Sequence, residues 1–262
     1  NVHYQAKDFQ SSLAAVNEAI KLVRAKGEQP RENWLILQRA NYYELKQPEN
    51  VTEVLEQLVR LYSKPEYWVQ LAGMYGEIGH EDKQLAVMES AWQAGYITSS
   101  QQIVTLAQLY RYHGVAYKAA NLLESAIKQG SVEASERHLE MIALAYMAAK
   151  DDEKAITPLK QATKIAEDGK FDAKLAQSYL NLEQWQNAIT SADNALERGG
   201  VERTGDMYLI LGMSHFHLKQ FEESLEALAM AQSFKESAKT AEQWVKYVKS
   251  QSGQYQRLAM LR

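Results

Sequence analysis

His215 and His217 are the first side chains in this chain that could bind a metal or move a proton. Two residues apart on a helix they point to different faces, whereas a helical metal pair needs i, i+4 spacing. Gly212-Met213-Ser214-His215-Phe216 offers a serine in glycine-flanked surroundings but lacks the second glycine of a nucleophile elbow, and no strand precedes it. Gly73, Gly76 and Gly79 lack the lysine of a phosphate-cradling loop. The paired carboxylates of Asp151-Asp152-Glu153 read most simply as a turn and helix start, where acids complement the helix dipole. With no cysteine in the chain, disulfides, thiolate metal sites and cysteine nucleophiles are excluded, and an oxidising compartment is compatible. The residues therefore predict no catalytic site, no metal site and no cofactor.

What does recur is structural. Tyr75, Tyr110, Tyr146, Tyr179 and His215 are each followed 16 positions later by alanine, at Ala91, Ala126, Ala162, Ala195 and Ala231. The steps between pairs are 35, 36, 33 and 36, while the 16-residue interval is constant. Such a period marks a repeat array whose unit interior tolerates no insertion and whose junctions do. His3 and Ala19 keep the interval too, so the phase predicts an array that starts before the given residues, with upstream sequence able to carry targeting or membrane segments.

Within one repeat, Tyr208, Leu211, Gly212 and His215 fall on one helical stripe, and Phe221, Ser224, Leu225, Leu228 and Ala231 on a second. Lys219 and Gln220 make the turn between them. Gly212 costs helix propensity, so its expected use is steric, to admit a neighbouring helix. Trp68, Leu71, Ala72 and Tyr75 repeat the pattern with Met88 and Ala91. Ile103, Leu106, Ala107 and Tyr110, then Leu139, Ile142, Ala143 and Tyr146, then Leu175, Ala176 and Tyr179 do so with their own alanine-rich second stripes. The loop at Arg198-Gly199-Gly200-Val201 absorbs an insertion. Two places fit less well: the first helix of the 34–58 hairpin can be phased on Asn41 or Tyr42, and Pro158 inside a second helix predicts a kink. After Ala231 a single apolar stripe, Ala241, Trp244, Val245 and Val248, has the form of a capping helix, and the tail from Ser252 has no clear period. The expected organisation is an array over 1–235 (a partial first repeat, then about six) and a cap with tail over 236–262.

Bulk properties agree. Net charge is −4, which disfavours a polyanion-binding chain. The end is basic, with Lys235, Lys239, Lys246, Lys249, Arg257 and Arg262 against Glu236 and Glu242; this reads as a solvated face. The longest apolar run, 141–149, is too short to span a bilayer, so no membrane span is expected in these residues.

These residues resemble the tetratricopeptide repeat (TPR) family. The large–Leu–Gly/Ala–Tyr first helix and alanine-rich second helix match Tyr208-Leu211-Gly212 with Phe221-Leu228-Ala231, and Trp68-Leu71-Ala72-Tyr75 with Ala91. The resemblance covers about residues 1–235 and implies an all-α fold, an α-solenoid of TPR-type helical hairpins forming a right-handed superhelix with a C-terminal capping helix. The stretch Ala-Glu-Gln-Trp-Val-Lys-Tyr-Val at 241–248 and the residues around 75–79 are also similar to periplasmic TPR proteins that accompany TonB–ExbB–ExbD clusters in gammaproteobacteria. That likeness implies a periplasmic or envelope-associated protein. Carrying the family's concave register onto this sequence gives a partner-binding groove of Gln108, Arg111 and Tyr112, then Arg137, Glu140, Leu144 and Met147, then Gln177 and Asn181, and finally Leu209, Met213, Phe216 and His217. The Lys/Asn clamp that holds acidic chaperone C-termini is missing: Val104 with Gln108, and Leu209 with Met213, stand at its places. The tyrosine ladder is expected to be core, not a stacking platform.

The expectation is a non-enzymatic interaction scaffold for a protein or peptide partner, with no nucleic acid. Two alternatives stay open at this level: a regulatory TPR segment of a larger enzyme, and an RNA-binding helical repeat of the pentatricopeptide kind. The acidic isoelectric point, near 5.9, weighs against the second.

Overall fold

The computed structural model describes residues 2–260, with side chains to residue 254. The described residues form fifteen α-helices and no strand. In order these are α1 (Val2–Gln5), α2 (Phe9–Ala25), α3 (Glu32–Glu44), α4 (Pro48–Tyr62), α5 (Pro65–Glu77), α6 (Glu81–Gln93), α7 (Ser100–Tyr112), α8 (Ala116–Lys128), α9 (Glu136–Ala148), α10 (Asp152–Ala162), α11 (Lys170–Asn181), α12 (Trp185–Arg198), α13 (Thr204–His217), α14 (Phe221–Gln232) and α15 (Ala238–Met260). They divide into two compact units, Asn1–Gly114 and Val115–Arg262.

Local chemistry sets the helix starts. Pro48 and Pro65 occupy first-turn positions, where the missing N–H costs nothing. Ser99 and Gln102 form a reciprocal capping box on α7. Asp151 caps α10 by accepting from the Lys154 amide at 3.3 Å, so the acidic triplet does begin a helix.

The constant 16-residue interval has a physical cause in the turn. Four residues after each ladder position the backbone is left-handed: Lys7, Lys46, Gly79, Gly114, Lys150, Glu183 and Lys219 have φ between 55° and 74°. One residue further, an amide closes the turn onto the ladder carbonyl, as Gln47 does on Tyr42, His80 on Tyr75, Asp151 on Tyr146, Gln184 on Tyr179 and Gln220 on His215. The first helix therefore always ends, and the second begins, at a fixed distance from the ladder residue. This geometry resolves the ambiguous hairpin: Lys46 stands four after Tyr42, so the ladder residue there is Tyr42, and Asn41 is a neighbouring buried residue.

The partners of the ladder, Ala91, Ala126, Ala162, Ala195 and Ala231, are all at most 3% exposed. Their small side chains let the helices close on one another. At Gly212 an added Cβ would lie 2.6 Å from Leu228 Cγ, so the glycine is there for close approach. Pro158 is buried and α10 runs through it to Ala162.

In the first unit a core of Val16, Ile20, Leu35, Val54, Leu55, Leu58 and Leu71 runs between successive hairpins. In the second, Leu209, Leu228, Ala231, Ala241 and Val248 close the array against α15. That helix continues through Ser252 to Met260, where no period was legible. Lys235, Lys239, Lys246 and Lys249 are exposed, and Lys246 pairs with Glu242 at 2.7 Å. The Arg257 side chain and Arg262 lie outside the described residues. No helix among the described residues is long and apolar enough to cross a membrane.

Candidate functional site

The ladder tyrosines are core. Tyr75, Tyr110, Tyr146 and Tyr179 are 7, 5, 0 and 5% exposed. The hydroxyls of Tyr75, Tyr110 and Tyr146 are not idle, however. Tyr75 donates to Glu56 at 2.6 Å, Tyr110 bonds Glu89, and Tyr146 donates to Glu124 at 2.5 Å and Asn121 at 2.9 Å. Each acceptor sits on the second helix of the preceding hairpin, so each bond ties one repeat to the next. Burial, helped by the acceptor carboxylate, pushes the Tyr75 and Tyr110 hydroxyls up to about 12. His215 stands in the same ladder place, with its Nδ1 2.8 Å from Gln220 Oε1, and it interacts electrostatically with Asp193, which lies at the same 22-residue offset as Glu124 from Tyr146. Burial raises the Asp193 carboxyl while the His215 charge opposes it.

Of the groove positions, Gln108, Arg111 and Tyr112 come together in the first unit. With Glu81, Gln84 and Thr105 they line an open hollow of about 320 Å³. Tyr112 is 69% exposed, and a hydrogen bond with Glu81 raises its hydroxyl pKa.

In the second unit the remaining positions divide. Arg137 and Leu144 on α9 are exposed, Met147 is half-buried, and Glu140 pairs with Lys174 of α11 at 3.5 Å. One turn earlier Lys170 reaches Glu136, so two ionic rungs bind the faces of α9 and α11. Gln177 donates to Asn181 at 2.9 Å, and Asn181 to the buried Asp152 at 3.0 Å. Leu209 is 9% exposed and Met213 packs beside it in the end core. Phe216 is half-buried against Trp244, 5.8 Å between centroids, and Tyr247, 5.2 Å. His217 is exposed but stacked at 4.0 Å on Trp185. The second unit thus keeps Arg137, Leu144, Asn181 and His217 facing solvent, while Leu209, Met213 and Phe216 serve to seat the capping helix.

A larger hollow, about 560 Å³, was not among the groove positions. It lies between α3 and α5, lined by Tyr4, Arg39, Tyr43, Gln70, Gly73, Met74 and Glu77. The signal for it was present: Gly73 and Glu77 stand 35 residues before Gln108 and Tyr112. The uncertain phase of α3 hid it.

No group of three or more His, Asp or Glu side chains is placed to hold a metal ion among the described residues.

Residues 173–239 match the family model of the tetratricopeptide repeat. Solved structures agree over most of the chain. YrrB, described as a TPR protein with an unusual peptide-binding site, superposes with a TM-score of 0.56 at 14% identity, over 74% of this chain and 99% of that one. The C-terminal part of a TPR repeat-containing protein from Cytophaga hutchinsonii gives 0.54 at 11% identity, over 93% and 97%. The fold is an α-solenoid of TPR-type hairpins. A chain of the APC/C Cut9–Hcn1 hetero-tetramer, at 12% identity and a TM-score of 0.46, is aligned with 94% of this chain, which spans only 47% of its length. No curated protein matches the chain by sequence. In TPR terms, the Tyr–Glu bonds join the second helix of one hairpin to the first helix of the next, and both hollows open beside first helices.

Proposed function

We propose that this TPR array is a non-enzymatic scaffold that holds a protein or peptide partner against the exposed faces of its first helices. The observation that carries the reading is the contrast along those helices. Their core positions are filled, yet Arg111, Tyr112 and Arg137 stand exposed beside them. Such faces combine aromatic anchors with hydrogen-bonding groups, as peptide recognition by helical grooves requires. The peptide-binding site named for YrrB is a precedent for this use of the fold. Cross-linking of the full chain to its native partners, with Arg111→Glu, Tyr112→Ala and Arg137→Glu variants that keep their helical content, tests the reading. Loss of the captured partner supports it; capture unchanged in all three and also in a variant of the α3–α5 hollow such as Gly73→Leu, or turnover of a substrate that one of them abolishes, overturns it.

We extend the reading to the envelope, with a partner in a TonB-linked complex. Its support is the likeness of residues 241–248 and 75–79 to periplasmic TPR proteins of such clusters, together with the cysteine-free composition. Cell fractionation followed by cross-linking in native membranes is the check: a cytoplasmic protein, or capture without any TonB-system component, removes this extension.

A further inference from the structure

Gly73 is a glycine without an internal cause. It sits inside α5, where glycine is the least favourable residue after proline. Its φ is not left-handed, and a Cβ built on it meets nothing within 4 Å. Gly212, by contrast, is forced by Leu228. A helical glycine that its own fold does not need leaves room for something from outside to approach the backbone closely.

The surroundings say what could approach. Gly73 lies in the floor of the α3–α5 hollow beside Met74, with Tyr43, 66% exposed, on the facing wall. Arg39 of α3 donates to Gln70 of α5 at one end, and Glu77 stands two helical turns further along α5. Neither Arg39 nor Glu77 has an ion-pair partner among the described residues. The hollow therefore carries an unpaired positive charge at one end and an unpaired negative charge at the other. Seven helical residues separate these ends by about 10 Å, which an extended chain covers in about three residues.

We propose that the α3–α5 groove binds an extended peptide segment bearing an acidic and a basic side chain about three residues apart. The acid lies against Arg39, the base against Glu77, and the backbone between them crosses Gly73. Tyr43 and Met74 cover the intervening side chains. This rests on the partner-binding reading above and supplies the chemistry of the ligand.

The test is selection of a displayed library of random short peptides on the whole protein, followed by affinity measurement with synthetic copies of the selected sequences. The wild type is expected to enrich an acid–base pair at that spacing. Glu77→Lys should enrich two acids instead, and Arg39→Glu two bases, a switch that mere loss of structure does not produce. Gly73→Leu, whose Cβ meets no internal atom within 4 Å, should keep the fold and weaken the wild-type peptides at least roughly tenfold. Selection without the charge pair, selection of nothing, or undiminished affinity in Gly73→Leu overturns the proposal. Peptides whose binding falls in Arg111→Glu or Arg137→Glu but not in Gly73→Leu overturn the groove assignment while leaving partner binding in place.

Discussion

The Ser224 hydroxyl donates to the Gly212 carbonyl at 2.7 Å, across a crossing that puts Leu228 against the glycine backbone. The bond and the missing side chain are one device: without the close approach the hydroxyl could not reach, and a buried hydroxyl left alone is costly. Gly212→Ala gains up to about 1 kcal/mol of helix propensity but overpacks Leu228, at a cost of about 1–3 kcal/mol. The expected net effect is a lowered urea midpoint. Ser224→Ala should cost about 1 kcal/mol, and the double variant should lose less than the sum, because both act on the same contact.

The Tyr–Glu ties predict an alkaline limit to stability. Tyr75 and Tyr110 are raised from 10.0 to about 12, so the folded chain favours their protonated form. Their contribution is fully present below pH 10.0 and is lost as pH rises toward about 12. Urea midpoints should be flat below that window and fall through it. In a Tyr75→Phe, Tyr110→Phe variant the neutral-pH midpoint drops, by about 1 kcal/mol per site, and the alkaline fall becomes shallower. An equally steep fall in the double variant would show that other groups control it.

Arg198 and Asp172 make the most demanding ion pair in the second unit. The guanidinium bonds Asp172 at 2.7 Å and also the carbonyls of Thr163 and Ala166, pinning the loop after α10. Burial raises the Asp172 carboxyl, and Arg198 opposes that rise. Arg198→Met leaves the carboxylate buried and unpaired, with an expected loss of about 3–5 kcal/mol near neutrality. Because a raised carboxyl favours its protonated form in the folded state, the deficit should shrink as pH falls toward the carboxylate range. Unfolding at several pH values measures this. A pH-independent deficit would mean that the carbonyl bonds, not the charge, carry the cost.

The left-handed turn residues offer a gain. Lys150 has φ 60°, where a side chain costs roughly 1–2 kcal/mol and glycine costs none. The entropy that glycine loses offsets part of this. Lys150→Gly should therefore stabilise by up to about 1 kcal/mol, seen as a raised melting temperature with unchanged helical content.

Much of the fold was legible because it is local. The interval from Tyr146 to Ala162 or from His215 to Ala231 spans one turn, and turn geometry is written in a few adjacent residues. The steric role of Gly212 was legible for the same reason, since its partner Leu228 is 16 residues away in the same hairpin. The candidate site was legible only as a register. Arg111, Tyr112 and Arg137 are exposed, but Phe216 does not stand free. Trp244 and Tyr247 cover it, and nothing in the α13 pattern announces what α15 will bring.

The sequence by itself determined the hairpin: two helical stripes, a short turn between them, and an alanine where the second helix crosses. These follow from backbone geometry within about 30 residues. Only the tertiary structure decided how hairpins are joined and what they leave open. The Tyr–Glu ties have offsets of 19, 21 and 22 residues, since each crosses a junction whose length varies. The Arg198–Asp172 pair and the space over Gly73 likewise depend on which faces meet. Periodicity encodes a helix's own faces; the neighbour that covers each face is set by packing between repeats.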